Sequence, residues 1–298
     1  MSQKGIGGVG KPRKRDRVDC GQNARLSGFE TLGDCHAEDL ERAKGLRKAA
    51  KKHPDKVNVE EMLALAAKLE EAGRGGKVPK SLASSTYMRR LRIKIVGALW
   101  LLIQLLKSMK AHAFTIIPRT WEFTPEGLDE VDPSRLLASL RAALYGQGAA
   151  KAKGWIIAFI HGEFDPIGGV YRLHVHGYAF GEMVAVIDRL RTLPNYKTKY
   201  RLKDGSLNPV YRRIQVKRKP PTNLLRQITY CVQSFWPAKA IFISDDGSRT
   251  RARTKQRISE PYHSQVLLWF DKWSIADLTL MIGLRVTKDG LIQTKRSS

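Results

Sequence analysis

Between residues 172 and 179 apolar and polar positions alternate. Leu173, Val175 and Ala179 are apolar, and Arg172, His174, His176 and Tyr178 take positions of the opposite parity. A period of two predicts a strand with one face on a core and the other carrying polar groups. Residues 155–163 (WIIAFIHGE) read as a second strand. Asp165, Pro166, Gly168 and Gly169 form a turn between them, so the two strands make a hairpin. Residues 113–117 (AFTII) predict an earlier strand stopped by Pro118. Residues 211–217 predict a fourth, with Ile214 and Val216 apolar and Tyr211, Arg213, Gln215 and Lys217 on the opposite parity.

Helical spacing fills the intervals. Leu136, Leu137, Leu140 and Leu144 follow a Pro133-Ser134 start. Residues 183–193 predict a second helix, and Pro220-Pro221 introduce a third over 222–234. The order β-α-β-β-α-β-α predicts an α+β fold with a ferredoxin-like, split βαβ antiparallel sheet. Helices would cover one sheet face, and the face with histidines, cations and tyrosines would stay open.

The flanks differ from this middle. Residues 1–34 read as a flexible basic arm without apolar periodicity. Residues 35–107 predict a helical accessory region. One helix covers 37–52, a second, capped by Asn58, covers 59–72 and is ended by Gly73, Gly75 and Gly76, and a third runs from Ser84-Ser85 toward Lys107. Residues 108–240 hold the sheet. Residues 241–298 read as a C-terminal accessory region, with one or two helices in the apolar stretch 266–284.

Charge adds a partner. The chain carries 53 Lys and Arg against 28 Asp and Glu, a net charge of +25. Such an excess points first to nucleic acid and second to an anionic membrane. The longest apolar run, residues 95–106, is far below the ~20 residues of a bilayer span. It reads as a buried helix, and no membrane partner is expected. No apolar leader is visible, and three cysteines make no disulfide framework. Cys20 and Cys35-His36 resemble half of a zinc site, but no second pair lies at ligand spacing, so free thiols in a reducing cytoplasm are expected. No P-loop sequence appears, so no fused helicase is expected.

His174-Val175-His176 is the candidate chemistry. Positions i and i+2 of a strand point the same way, so both imidazoles can hold one metal. A hard divalent ion also takes oxygen ligands. Glu163 or Asp165, across the hairpin turn, supplies one, with Glu163 preferred; His161 shares the parity of Glu163. Tyr230 on the third helix, with Arg226, Gln227, Gln233 and Ser234 three or four residues away, can attack a polarised phosphate.

These elements resemble HUH endonucleases of the single-tyrosine, rolling-circle replication initiator type. Phe114-Thr115-Ile116-Ile117 is similar to their first strand motif. Glu163, the turn and His174-Val175-His176-Gly177-Tyr178 resemble the metal motif, and the stretch from Tyr230 to Trp236 resembles the nucleophile helix. The resemblance covers roughly residues 108–240. It implies Mg2+ or Mn2+ on His174, His176 and Glu163, and attack by Tyr230 giving a 5′-phosphotyrosine and a free 3′-hydroxyl. The implied substrate is single-stranded DNA at an origin hairpin, with host helicase and polymerase as partners and a cytoplasmic, nucleoid- or plasmid-associated location. Arg172, Tyr178, Tyr211, Arg213, Lys217 and Arg226 are the expected DNA contacts. Gln233 stands where the family usually has Lys, leaving Arg226, Lys239 or Arg213 to replace that cation. A transposase or relaxase would share the chemistry. A non-catalytic nucleic-acid-binding protein would share the sheet.

Single-stranded DNA affinity is expected to fall with salt, each phosphate contact steepening the log–log slope by about 0.7. A titration at several salt concentrations measures it, and a flat profile contradicts the reading.

Overall fold

The computed structural model describes residues 16–19, 25–106, 111–198, 205, 212–219, 223–233, 235–243, 249–252, 254–288 and 290–294. Among them are seven α-helices: α1 (Leu32–Lys52), α2 (Val59–Gly73), α3 (Ser85–Leu105), α4 (Pro133–Gly146), α5 (Met183–Arg189), α6 (Leu224–Cys231) and α7 (Tyr262–Lys272). The central strands are β1 (His112–Ile116), β2 (Gly154–Asp165), β3 (Val170–Gly181) and β4 (Ile214–Val216). The chain is α+β. The four strands lie in the order β2-β3-β1-β4, and each neighbouring pair is antiparallel. Along the chain, α4 falls between β1 and β2, and α5 between β3 and β4. The fourth strand is shorter than the residues 211–217 read from sequence, and Tyr211 lies outside the described residues.

The C-terminal region joins this sheet. Strand β5 (Pro237–Ala238) runs parallel to β2 at Phe164, and β6 (Thr279–Ile282) pairs antiparallel with Phe159 back to Ile156. The apolar stretch 266–284 is therefore the end of one helix, α7, followed by a strand. Asp277 accepts from the N–H and hydroxyl of Ser274 and turns the chain between them. Beyond it Leu278, Leu280 and Ile282 bury while Thr279 and Met281 do not. That period of two is masked in the sequence because Met281 is also apolar.

The expected bare sheet face is largely covered. On it, Trp155, Ile157, Phe159 and Tyr178 form a core with Val96, Leu99 and Leu102 of α3 and Ile228 and Cys231 of α6. The alternation of β3 describes only one strand. Strand β2 is apolar on both parities from Trp155 to Ile160, the signature of a strand covered on both faces. Only its far end is polar. The other face packs Ile160, Leu173 and Val175 with Leu46 of α1, Leu65 of α2 and Trp269 of α7, so the flanking regions share the sheet's core. No helix among the described residues is long and apolar enough to cross a membrane.

The buried carboxylate of Asp39 ties α1 to the start of α3. It accepts from the Ser84 hydroxyl and the Ser85 and Thr86 amides, groups that α3 cannot satisfy internally. Arg42, one turn on, donates to the Ala83 carbonyl. Asp39→Ala is expected to lower unfolding free energy by about 2 kcal/mol, because it leaves these buried donors unpaired. Urea denaturation measures this, and an unchanged midpoint contradicts it.

Candidate functional site

The hairpin register assembles the polar end of the covered face. His161 pairs with His174, and Glu163 with Arg172. Thr115 pairs with His176 on one side and Gln215 on the other. Neighbours in a pair point to the same face, so four strands bring these side chains together.

The two histidines of the tripeptide converge. His174 Nε2 lies 3.0 Å from His176 Nε2. Two nitrogens each about 2.1 Å from one ion, and at about a right angle, are about 3.0 Å apart. The other ring nitrogens are held by oxygens. His176 Nδ1 is 2.8 Å from Thr115 Oγ1, and His174 Nδ1 donates over 3.4 Å to the Arg172 carbonyl. Metal-binding imidazoles are oriented in this way. Burial depresses both pKa values, that of His174 to about 3 and that of His176 well below the usual imidazole range. Both rings are therefore neutral at pH 7, as ligation requires.

The oxygen ligand is less complete. Glu163 lines the same cavity of about 160 Å³ as His174, His176 and Tyr230. Its Oε2 faces Lys239 Nζ at 4.0 Å. Among the described residues no three His, Cys, Asp or Glu side chains close to metal-holding geometry. Asp165 is committed elsewhere. Its Oδ1 accepts from the Ile167 and Ile241 amides, and its Oδ2 from Arg172 Nη1. It shapes the turn, which leaves Glu163 as the carboxylate facing the cavity.

Tyr230 reaches this cavity from α6. Ile228 and Cys231 bury one side of that helix, and the phenol on the other is 39% exposed. Its ring centroid lies 4.8 Å from that of His176. Burial raises its pKa, so the phenol is protonated at neutral pH. Lys255 Nζ sits 4.5 Å above the ring. Burial lowers the pKa of both Lys255 and Lys239. Lys255 and Thr115 are the residues that sequence reasoning missed in role. Lys255 falls in a basic stretch indistinguishable from any solvated tail. Thr115 was visible only as part of a strand motif.

Several expected residues sit elsewhere. Helix α6 ends at Cys231 and Val232 leaves the helical conformation, so Gln233 is not one turn beyond Tyr230. It lines a separate small cavity with Phe159 and Val232. Tyr178 and Arg213 are fully buried, which removes them as surface contacts for DNA, while Arg172 is nearly buried and lines the cavity beside Glu163 and His174. Tyr178 is packed under α3 and α6, Arg213 donates to the Ile117 carbonyl, and Arg172 pairs with Asp165 and Glu122. Lys217 and Arg226 are exposed. With Tyr230, Thr115 and His176 they line a second cavity of about 380 Å³. Lys217 continues into a third, of about 450 Å³, beside Arg191 and Arg212.

No protein-family model, curated protein or solved structure matches this chain.

Thr115→Val keeps the strand shape but frees His176 Nδ1. It is expected to weaken divalent-metal affinity about 10- to 100-fold, read by Mn2+ electron paramagnetic resonance. Unchanged affinity would remove Thr115 from the site.

Proposed function

We propose that this protein is a DNA strand transferase of the HUH type, which nicks and rejoins single-stranded DNA to initiate rolling-circle replication. One observation carries the reading: the Tyr230 ring meets His176, one of the converged histidine pair, edge-on at the wall of a cavity that all three share. The strand order β2-β3-β1-β4, with α4 and α5 as crossovers, supports a ferredoxin-like sheet beneath it.

Tyr230 Oη attacks the scissile phosphorus. One oxygen–phosphorus bond forms, the bond to the 3′-oxygen breaks, and the phenolic proton ends on the 3′-hydroxyl. The 5′ side stays on the protein as a phosphotyrosine. His174 and His176, with Glu163 as carboxylate, would hold Mg2+ or Mn2+, which supplies Lewis-acid polarisation of the phosphate. Lys239 and Lys255 bring cations to the cavity where the chain has Gln233 in place of a lysine, and they are suited to neutralise phosphate charge. Lys217 and Arg226 flank Tyr230 in the adjoining groove and suit the phosphates of a single strand. An origin hairpin as target, and a host helicase and polymerase as partners, belong to the same proposal.

The test is a nicking assay with labelled single-stranded oligonucleotides from the protein's own replicon and Mn2+. Wild type is expected to form a covalent adduct. Tyr230→Phe and His174→Ala are expected to form none while binding within about threefold of wild type. Salt-sensitive binding without adducts in wild type, across metals and sequences, would overturn the enzymatic reading in favour of a binding module.

A further inference from the structure

Helix α6 is eight residues long. A helix that short does not hold its own geometry in water, so its anchors decide where Tyr230 points. Asn223 caps one end by accepting from the Arg226 amide at 2.9 Å. Ile228 and Cys231 pin its buried side. The last carbonyls of a helix have no internal partner. One of them, the Cys231 carbonyl immediately after Tyr230, accepts from His161 Nε2 at 2.6 Å. The same imidazole lies nearly parallel to the phenol, with 8° between planes and 6.3 Å between centroids. It meets His176 edge-on at 4.9 Å. One ring thus touches the helix end, the phenol and the histidine pair.

A carbonyl oxygen only accepts, so Nε2 of His161 carries the hydrogen and has no lone pair for a metal. His161 sits on β2, whose both faces are packed, so it is a rigid support.

We propose that His161 is a positioning residue and not a metal ligand: its Nε2–H holds the end of α6 so that the Tyr230 phenol stays in register with His174 and His176. This rests on the reading of Tyr230 as nucleophile. Glutamine places an amide N–H near the position of Nε2 and keeps the bond. Asparagine falls short of it, and leucine has no donor.

The experiment compares His161→Gln, His161→Asn and His161→Leu in the full chain, with circular dichroism selecting the folded variants. Three quantities are read: Mn2+ affinity without DNA, the fluorine NMR resonance of a ring-fluorinated tyrosine at position 230, and single-turnover cleavage alongside single-strand Kd. Leucine, or asparagine if leucine does not fold, is expected to keep Mn2+ affinity and DNA Kd within about twofold. The fluorine resonance should shift or broaden, and the cleavage rate should fall about tenfold or more. Glutamine should restore both the resonance and most of the rate. Loss of Mn2+ affinity by about tenfold in the folded variants would make His161 a ligand and overturn the proposal. An unmoved resonance in the asparagine and leucine variants would also overturn it. If wild type forms no adduct, the nucleophile reading fails, while the resonance still reports whether His161 fixes the Tyr230 ring.

Discussion

The register of one hairpin constrains everything else in the site. His161 faces His174 across β2 and β3, and the alternation of β3 sends Val175 to the core and its two neighbours to the other side. A slip of one residue would turn both imidazoles into the apolar core shared with α1, α2 and α7 and move Val175 to the site. Gly177 helps to exclude that slip. A Cβ there would lie 2.1 Å from the Ile157 carbonyl oxygen, so this position accepts a glycine and little else. The sheet therefore fixes the histidine pair rigidly, and the remaining freedom belongs to α6.

The core strands and the histidine pair were legible because they depend on short-range alternation. The extent of the sheet was not. Strands β5 and β6 come from beyond residue 236, and β6 pairs through backbone groups that leave no periodic trace when both parities are apolar. The covering of the sheet by α3 was hidden for a related reason. Val96, Leu99 and Leu102 announce a buried helix, and nothing local says which surface buries it. Gln233 was misplaced because a helix end was drawn three residues too late. Lys255 was invisible because it is brought in by tertiary packing alone.

Positive charge is distributed in two ways that have different consequences. Arg172 and Arg213 are buried, and Arg172 is ion-paired, so they serve the fold. Lys217 and Arg226 are exposed along the cavity beside Tyr230, and Arg212 is exposed along the neighbouring one. Lys239 is half-buried, and Lys255 is exposed at the face of the Tyr230 ring. Partial burial weakens their hold on a proton and sharpens their attraction to any anion that enters.

The way β6 covers one margin of β2 has a consequence for dissecting the protein. Cutting the chain after residue 240 would keep the four central strands and every histidine of the site. It would also strip β6 from the outer margin of β2 and leave a row of peptide groups over Ile156–Phe159 without partners. Unpaired margins of this sort recruit other chains, and the fragment would also lack Lys255 and the Trp269 side of the core. The smallest unit that keeps this margin paired and retains the cavity therefore extends at least through Ile282.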